Sequence, residues 1–419
     1  MGEEQCHSDS PTLHFHIDSP MLRSHGDNPA LLCQCDSSMI QSQNDRPTLH
    51  SNGDSTTLQS HSDSPTLPSR VDLPTLRSLN ISVDEKNVIP GALSIIRELR
   101  PDWNPGDVQT KLFTDGITNK LLACFVDTGM EDAVLVRIYG KQTELFVDRE
   151  DEVTSFQLLR AHGCAPALYC TFQNGLCYEF MRGLALGPEH VREPHILRLI
   201  THEMARYHSI PAHNGCLPKL VLWQKLRKYL SILRTDDGAQ SRLPLGTPSL
   251  KVLEEELYWL KTYLPTLGSP IVLCHNDLLC KNVIYNEADG HVRFIDYEYA
   301  GYNYQAYDIA NHFNEFAGVS EPDYQMFPNR QTQIQWLRHY LSAYRRLMQE
   351  EGEVPESEVE TLFVQVNQFV LASHLFWGLW ALIQHRYSDI DFNFGRYAVL
   401  RFKRYFEVKP EVTALRTVK

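Results

Sequence analysis

The run His275-Asn276-Asp277-Leu278-Leu279-Cys280-Lys281-Asn282 sets a carboxylate and a side-chain amide on one short polar segment, directly after the apolar residues Ile271, Val272 and Leu273. A second apolar run, Val292 to Ile295, leads into Asp296-Tyr297-Glu298. Transfer of a phosphoryl group to a hydroxyl asks for three groups: a carboxylate beside the attacking oxygen, an amide oxygen on a divalent metal, and a second carboxylate on that metal. Asp277, Asn282 and Asp296 supply these types in that order, and a loop followed by a hairpin would bring them to one cleft. H-x-D-x-x-x-x-N by itself also fits a polar loop with an Asn-capped turn. The strand-borne Asp296 at the right distance makes that blander reading the weaker one.

Other parts of a nucleotide site are expected upstream. Arg137 lies in the strand-like run Ala133 to Tyr139, where a cation would reach ATP phosphates, and Glu152 on the next helical segment is its expected ion-pair partner. Lys111–Phe113 and Lys120–Asp127 read as two strands joined by a turn that ends in Thr118 and Asn119. Its backbone N–H groups are candidates to cover the phosphates, although it holds one Gly and a functionless hairpin would look the same. Glu179 to Met181, after a hairpin placed at Asn174-Gly175, is expected to meet adenine through backbone groups.

Downstream, Asp308, Asn311 and Glu315 recur at i, i+3 and i+7, which puts three polar groups on one helix face. A solvated face has the same pattern, but this one abuts the candidate metal site among aromatics and reads as a site wall. Asp308 is expected to brace the catalytic loop, with His275 as a second structural residue. Trp377 and Trp380 are i, i+3 neighbours in an apolar helix, with Tyr397 further on. Such pairs are ordinarily core. Beside Glu298 and Glu315 they also suit a cage for a small cation, in which ring faces and a carboxylate share the charge.

The elements that must hold these residues divide the chain. Asp9, Asp18, Asp27, Asp36, Asp45, Asp54, Asp63 and Asp72 fall at a strict nine-residue spacing, and each is followed four positions later by Leu or Ile, giving a consensus near D-S-P-T-L. One aliphatic residue per nine cannot offset the entropy of ordering the rest, so residues 1–79 are expected to be a disordered repeat tail. A docking array for a partner and a phosphorylated Ser/Thr-Pro region are the functional alternatives. From residue 80 the texture is that of a folded body. Strand-like runs and the helical segments Gly91–Leu99 and Arg149–Ala161 come first, and mostly helical patterns follow after Pro188. That is an α+β order, with an N-lobe over about 80–185 and a C-lobe over about 186–419.

The net charge of -13 argues against general nucleic-acid binding. Ten Cys without C-x-x-C pairs suit reduced thiols in a cytoplasmic protein. The apolar stretch Phe369 to Ile383 is short for a membrane span and holds His374, so it reads as a buried helix without membrane insertion. Nothing in the sequence assigns an oligomeric state.

Together these blocks resemble the choline/ethanolamine kinase family, from about Ile81 to the C-terminus. The family's H-x-D-x-x-x-x-N is met by His275, Asp277 and Asn282, its I-D-[FY]-E-Y by Ile295 to Tyr299, and its N-x-x-x-x-D-x-x-N-x-x-x-E by Asn303, Asp308, Asn311 and Glu315. The resemblance implies the two-lobed protein-kinase-like fold, ATP and Mg²⁺, Asp277 as base, Asn282 and Asp296 as metal ligands, and Arg137 on the ATP phosphates. Trp377, Trp380 and Tyr397 fall where the family places cage aromatics. LFTDGITNKL, VRIYGK, HNDLLCKN and YEYAGYNYQAYDIANHFNEFAG look like the ethanolamine branch. The expected product is then phosphoethanolamine, the first step of the CDP-ethanolamine route. A choline or dual-specificity kinase is the alternative. A silent kinase-fold binder fits the intact Asp277, Asn282 and Asp296 poorly, and a sugar or antibiotic kinase fits the aromatic helix poorly.

Overall fold

Side-chain alternation along two central strands decides how the N-terminal lobe is built. The computed structural model describes residues 73, 75–113, 119–140, 143–212, 219–235, 243–388 and 390–416. On β3 (Lys120–Phe125) and β4 (Val134–Ile138), Leu122, Cys124, Val134, Val136 and Ile138 point to one face. There they meet Val88, Ala92, Ile95 and Ile96 of α1 (Val88–Leu99), spaced so that one helix stripe covers the sheet. Leu121, Ala123, Phe125 and Leu135 form a separate cluster on the opposite face, which Arg137 shares by the same alternation.

Completing this lobe are β1 (Arg77–Leu79), β2 (Gln109–Phe113), α2 (Arg149–Ala161), β5 (Leu168–Phe172) and β6 (Gly175–Glu179), with strand order β1-β5-β6-β4-β3-β2. All pairs are antiparallel except β1 with β5. α2 begins at Arg149 because the Asp148 side chain accepts from the N–H groups of Glu150 and Asp151, and three acidic residues in its first turn suit the helix dipole.

The second lobe is helical: α3 (Pro194–His208), α4 (Val221–Arg234), α5 (Leu250–Tyr263), α6 (Gln305–Glu315), α7 (Arg330–Leu347), α8 (Glu356–Tyr387) and α9 (Phe394–Ala414). Two small sheets lie at its cleft side. β7 (Leu184–Ala185), β9 (Val283–Asn286) and β10 (His291–Phe294) form one, and β8 (Ile271–Cys274) pairs with β11 (Gly301–Tyr304) in the other. α8 is the spine of the lobe, packed on α4, α6, α7 and α9. It is apolar on all sides, as a helix surrounded by others must be. Gly378 lets α9 approach, since a Cβ there would meet the Phe402 ring at 2.5 Å.

The order of elements is the expected α+β one, and α2 occupies the range expected for it. Three expectations change. The repeat lies outside the described residues except for its end, and that end is folded: Leu76, the last repeat leucine, packs on the core and Arg77–Leu79 is a strand. The boundary drawn after Leu79 therefore cuts the sheet. The β5–β6 turn is Gln173-Asn174, because Phe172 faces Gly175 across the ladder. Gly175 is needed there for closeness, as a Cβ would lie 2.1 Å from the Arg137 carbonyl oxygen. Finally, α8 runs 32 residues and is long and apolar enough to cross a membrane, but its most apolar window is wholly buried inside the protein.

Candidate active site

β8 delivers the chain into a loop whose backbone is held from below. Asp308, in the first turn of α6, accepts the N–H of His275 at 2.9 Å and of Asn276 at 2.7 Å. His208 Nε2 lies 3.1 Å from the same carboxylate, with Tyr340 Oη 2.7 Å from Nδ1. Burial opposes charge on Asp308, yet these hydrogen bonds with His208 and His275 hold its carboxyl below the usual range. Asn276 has φ +66°, a left-handed conformation. It is kept there by bonds from its amide to the carbonyls of Tyr299 (2.9 Å) and Gly301 (3.1 Å) and by the amide of Asn303 (2.8 Å). His275 is fully buried, which lowers its pKa, and a neutral ring fits its contacts: Nε2 faces the Ile295 carbonyl at 2.9 Å and Nδ1 the Asp277 N–H at 3.3 Å. Asp308 and His275 thus have the bracing geometry expected of them.

Asn282 is oriented by its own loop. Its Nδ2 donates to the Asp277 carbonyl at 2.8 Å, which turns Oδ1 the other way, and its carbonyl accepts Ile295 N–H at 3.0 Å. That last bond sets Asn282 beside Asp296, the next residue, whose φ is +67°. Asp277, Asn282 and Asp296 are brought to one buried place in the cleft.

From the other lobe Arg137 reaches into this place. It lies 3.1 Å from Asp296, 3.4 Å from Glu152 and 2.8 Å from Glu298. Arg149 adds a second cation, 2.8 Å from Glu152 and 3.6 Å from Glu298. The expected Arg137–Glu152 pair is present. Glu298, expected at the substrate, has its carboxylate on Arg137 instead. Burial first, then Asp296, pushes its pKa up to about 7, against the pull of Arg137 and Arg149.

Next to Arg137, the cluster of Leu121, Ala123, Phe125 and Leu135 is joined by Phe113 and Phe180, whose rings stack with centroids 6.0 Å apart. This gives an apolar surface beside Arg137 on the face of the sheet opposite α1. Glu179 closes its edge: its side chain accepts Ala167 N–H at 3.0 Å and its own N–H donates to the Ala167 carbonyl at 2.8 Å, so its side chain braces its own lobe. Met181 is half-buried beyond it. Asn119 is buried and accepts Gly140 N–H at 3.2 Å, with Nδ2 unpartnered among the described residues. Thr118 lies outside them.

On the far side of Asp277 the helices contribute rings. Trp377 Nε1 donates to Asn311 at 2.7 Å and Trp380 Nε1 to the Tyr299 hydroxyl at 3.0 Å, which fixes both indoles. Tyr299 and Trp377 sit edge to face at 5.4 Å, Trp377 and Trp380 at 5.5 Å. Lys225, whose ammonium lies 4.8 Å from the Tyr299 ring, is pushed down to about 8 by burial. Glu315, expected to meet the substrate ammonium, is held 2.9 Å from Arg401. Arg401 also donates to Tyr397 at 3.0 Å and Ser373 at 3.0 Å. The carboxylate is therefore already neutralised.

Sequence reasoning missed Arg401, Tyr229 and Tyr307. The hydroxyls of Tyr229 and Tyr307 are buried without a hydrogen-bond partner among the described residues. Burial, and among the nearby charges Asp277, raise the pKa of both phenols, as also for Tyr397. Both oxygens therefore have hydrogen-bonding capacity left for a donor. Tyr307 stood in a motif already singled out; Tyr229 and Arg401 carried no local signal.

The choline/ethanolamine kinase family profile matches residues 110–406. The chain is 62% identical over 335 residues to ethanolamine kinase 2 of Rattus norvegicus, covering 80% of this chain and 85% of that one. It is 59% identical over 344 residues to human ethanolamine kinase 1, covering 81% and 76%. Among solved structures it is similar to an ethanolamine kinase of Plasmodium vivax, with TM-score 0.67 and 28% identity, covering 77% of this chain and 89% of that one. It is also similar to a choline kinase of Cryptosporidium parvum, with TM-score 0.65 and 25% identity, covering 77% and 95%. With a buried Asp277–Asn282–Asp296 set between a sheet lobe and a helical lobe, and with these relatives, the chain belongs to the choline/ethanolamine kinase family.

Proposed function

We propose that the protein transfers the γ-phosphoryl group of ATP to the hydroxyl of ethanolamine, giving phosphoethanolamine and ADP for phospholipid synthesis. The observation that carries this is the Asp277–Asn282–Asp296 set, which opens on one side to Arg137 and on the other to fixed aromatic rings and orphaned phenols. The names of the relatives that share about 60% identity support the choice of alcohol.

Asp277 orients the hydroxyl and accepts its proton as the oxygen–phosphorus bond forms and the bond to ADP breaks. Asp296 and Asn282 offer a carboxylate and an amide oxygen side by side, hard donors that fit Mg²⁺. Bound there, the metal would neutralise charge developing on the phosphates. Arg137 steadies Asp296 and Glu298, and with Glu152 ties the lobes together. The apolar surface of Phe113, Phe180 and Ala123 is assigned to adenine, with Glu179 and Met181 at its edge. The ammonium is assigned to the ring faces of Trp377, Trp380 and Tyr299 and to the oxygens of Tyr229 and Tyr307. Six described cysteines, all free, suit a reducing cytoplasmic setting.

A second reading, a broad choline/ethanolamine kinase, is favoured by one observation. Glu315 is occupied by Arg401, so aromatic faces common to both substrates carry much of the recognition. The test is incubation with ATP, Mg²⁺ and ethanolamine, followed by ³¹P NMR. Phosphoethanolamine should form, and formation should stop on chelation of the metal. No phosphoethanolamine at any metal concentration would refute the assignment.

A further inference from the structure

The repeat that the catalytic reading leaves unused has a complementary surface on the body. A groove on the outer side of the N-terminal lobe, away from the cleft-facing side of the sheet, is lined by Leu93 and Ile96 of α1 and by Trp103, Pro105 and Val108 of the turn into β2. Two arginines, Arg97 and Arg100, flank this apolar floor. Arg97 is exposed and makes no ion pair or hydrogen bond among the described residues. Arg100 is half-buried, its guanidinium 4.5 Å from the Tyr169 ring and 5.9 Å from that of Trp103.

We propose that this groove is the docking site of the chain's own N-terminal repeat. It takes one D-S-P-T-L copy at a time, with the leucine on Trp103 and Leu93 and the aspartate on Arg97. Three observations argue for this occupant over others. The first is charge. Residues 1–72 hold ten Asp and Glu against three Arg, so they carry -7 of the chain's net -13, and the groove presents cations. The second is where the tail leaves the body. Arg77, one residue after the last repeat leucine, donates to the carbonyl and the carboxylate of Glu98 in the last turn of α1, at 2.7 Å each. The groove is built on that same turn. Leu67 precedes Leu76 by nine residues, a reach of up to about 30 Å, whereas all of α1 is about 18 Å long. The third is precedent within the chain: the last copy already lays its leucine, Leu76, on the folded body.

Repetition then has a physical use. Seven copies precede the docked one on tethers of increasing length, so the nearest present themselves at the highest effective concentration and a weak single contact stays filled by exchange among them.

The test uses the full chain with Pro105→benzoylphenylalanine, photolysed and mapped by mass spectrometry. Intrachain cross-links to peptides spread through residues 9–67 are expected. Arg97→Glu should lower their yield about fivefold, the factor an exposed ion pair can supply, and Arg97→Lys should keep it. Replacing Leu13, Leu22, Leu31, Ile40, Leu49, Leu58 and Leu67 with Ser alters nothing in the folded body and should abolish the links. ADP-forming activity should be unchanged in all variants. Absence of links, equal yields after Arg97→Glu or after the leucine replacements, or links that only join two chains would overturn the proposal.

Discussion

On one side of the cleft Arg137 carries Glu152, Asp296 and Glu298, with Arg149 beside it; on the other Arg401 carries Glu315, together with two hydroxyls. Among the described residues the first side gathers Glu152, Asp296, Glu298 and Asp277 against Arg137, Arg149 and the buried Lys225, whose charge burial disfavours. It is short of positive charge, a condition that favours taking up a divalent cation with a polyanionic nucleotide. The second is balanced before any substrate arrives, so an ammonium there must be met by ring faces and neutral oxygens. A charge deficit and a charge balance, set about one loop, divide the two halves of a phosphoryl transfer between them.

Removing the carboxylate that the deficit is built around should do most damage. Asp296→Ala is expected to reduce ADP release below detection at ordinary Mg²⁺, because the carboxylate proposed to hold the metal is lost. Wild-type turnover at limiting Mg²⁺ would place the metal elsewhere. Asp277→Asn, which keeps the shape and removes the base, should lower kcat by about 10²–10⁴-fold with nucleotide affinity nearly intact. A variant with normal kcat would remove Asp277 from the reaction.

The balanced side breaks differently. Arg401→Met strands the buried Glu315 carboxylate and should cost about 3–5 kcal/mol of stability, read as a large fall in thermal midpoint. Adding Glu315→Gln to it should restore much of that loss, since no buried charge remains. If the double variant melts no higher than the single one, Arg401 acts through packing and the balance is not what matters. Smaller still, Tyr307→Phe should reduce kcat/KM for ethanolamine about tenfold, the scale of one hydrogen bond to a charged group, with KM for ATP unmoved. An equal loss in both substrates would make Tyr307 a scaffold residue.

The deficit side was the more legible in the sequence, and the reason is locality. His275 to Asn282 and Asp296 lie on one loop and one hairpin, so their spacing alone reports their meeting. Arg137 and Glu152 followed from strand and helix order. Asp308 was legible as a brace because its motif adjoins the loop it supports. The balanced side depends on contacts between helices far apart in the chain. Arg401 reaches Glu315 across 86 residues, and neither its type nor its neighbours in α9 announce a buried ion pair. The sequence pattern points Glu315 at a substrate ammonium, whereas its carboxylate is paired with Arg401. Glu298 was misplaced for a similar reason, since its partner Arg137 is 161 residues away. β1 escaped notice because a three-residue strand has no periodicity to show, and it exists only by pairing with β5.

The central claim is tested most directly by kcat/KM for ethanolamine, its N-methyl and N,N-dimethyl derivatives, and choline, measured by ADP release under one set of conditions. Each methyl removes an N–H donor, and phenol oxygens left unpaired cost about 1–3 kcal/mol, so a stepwise decline reaching at least about tenfold at choline is predicted. Equal values across the series would contradict the account and leave a kinase that reads only the positive charge.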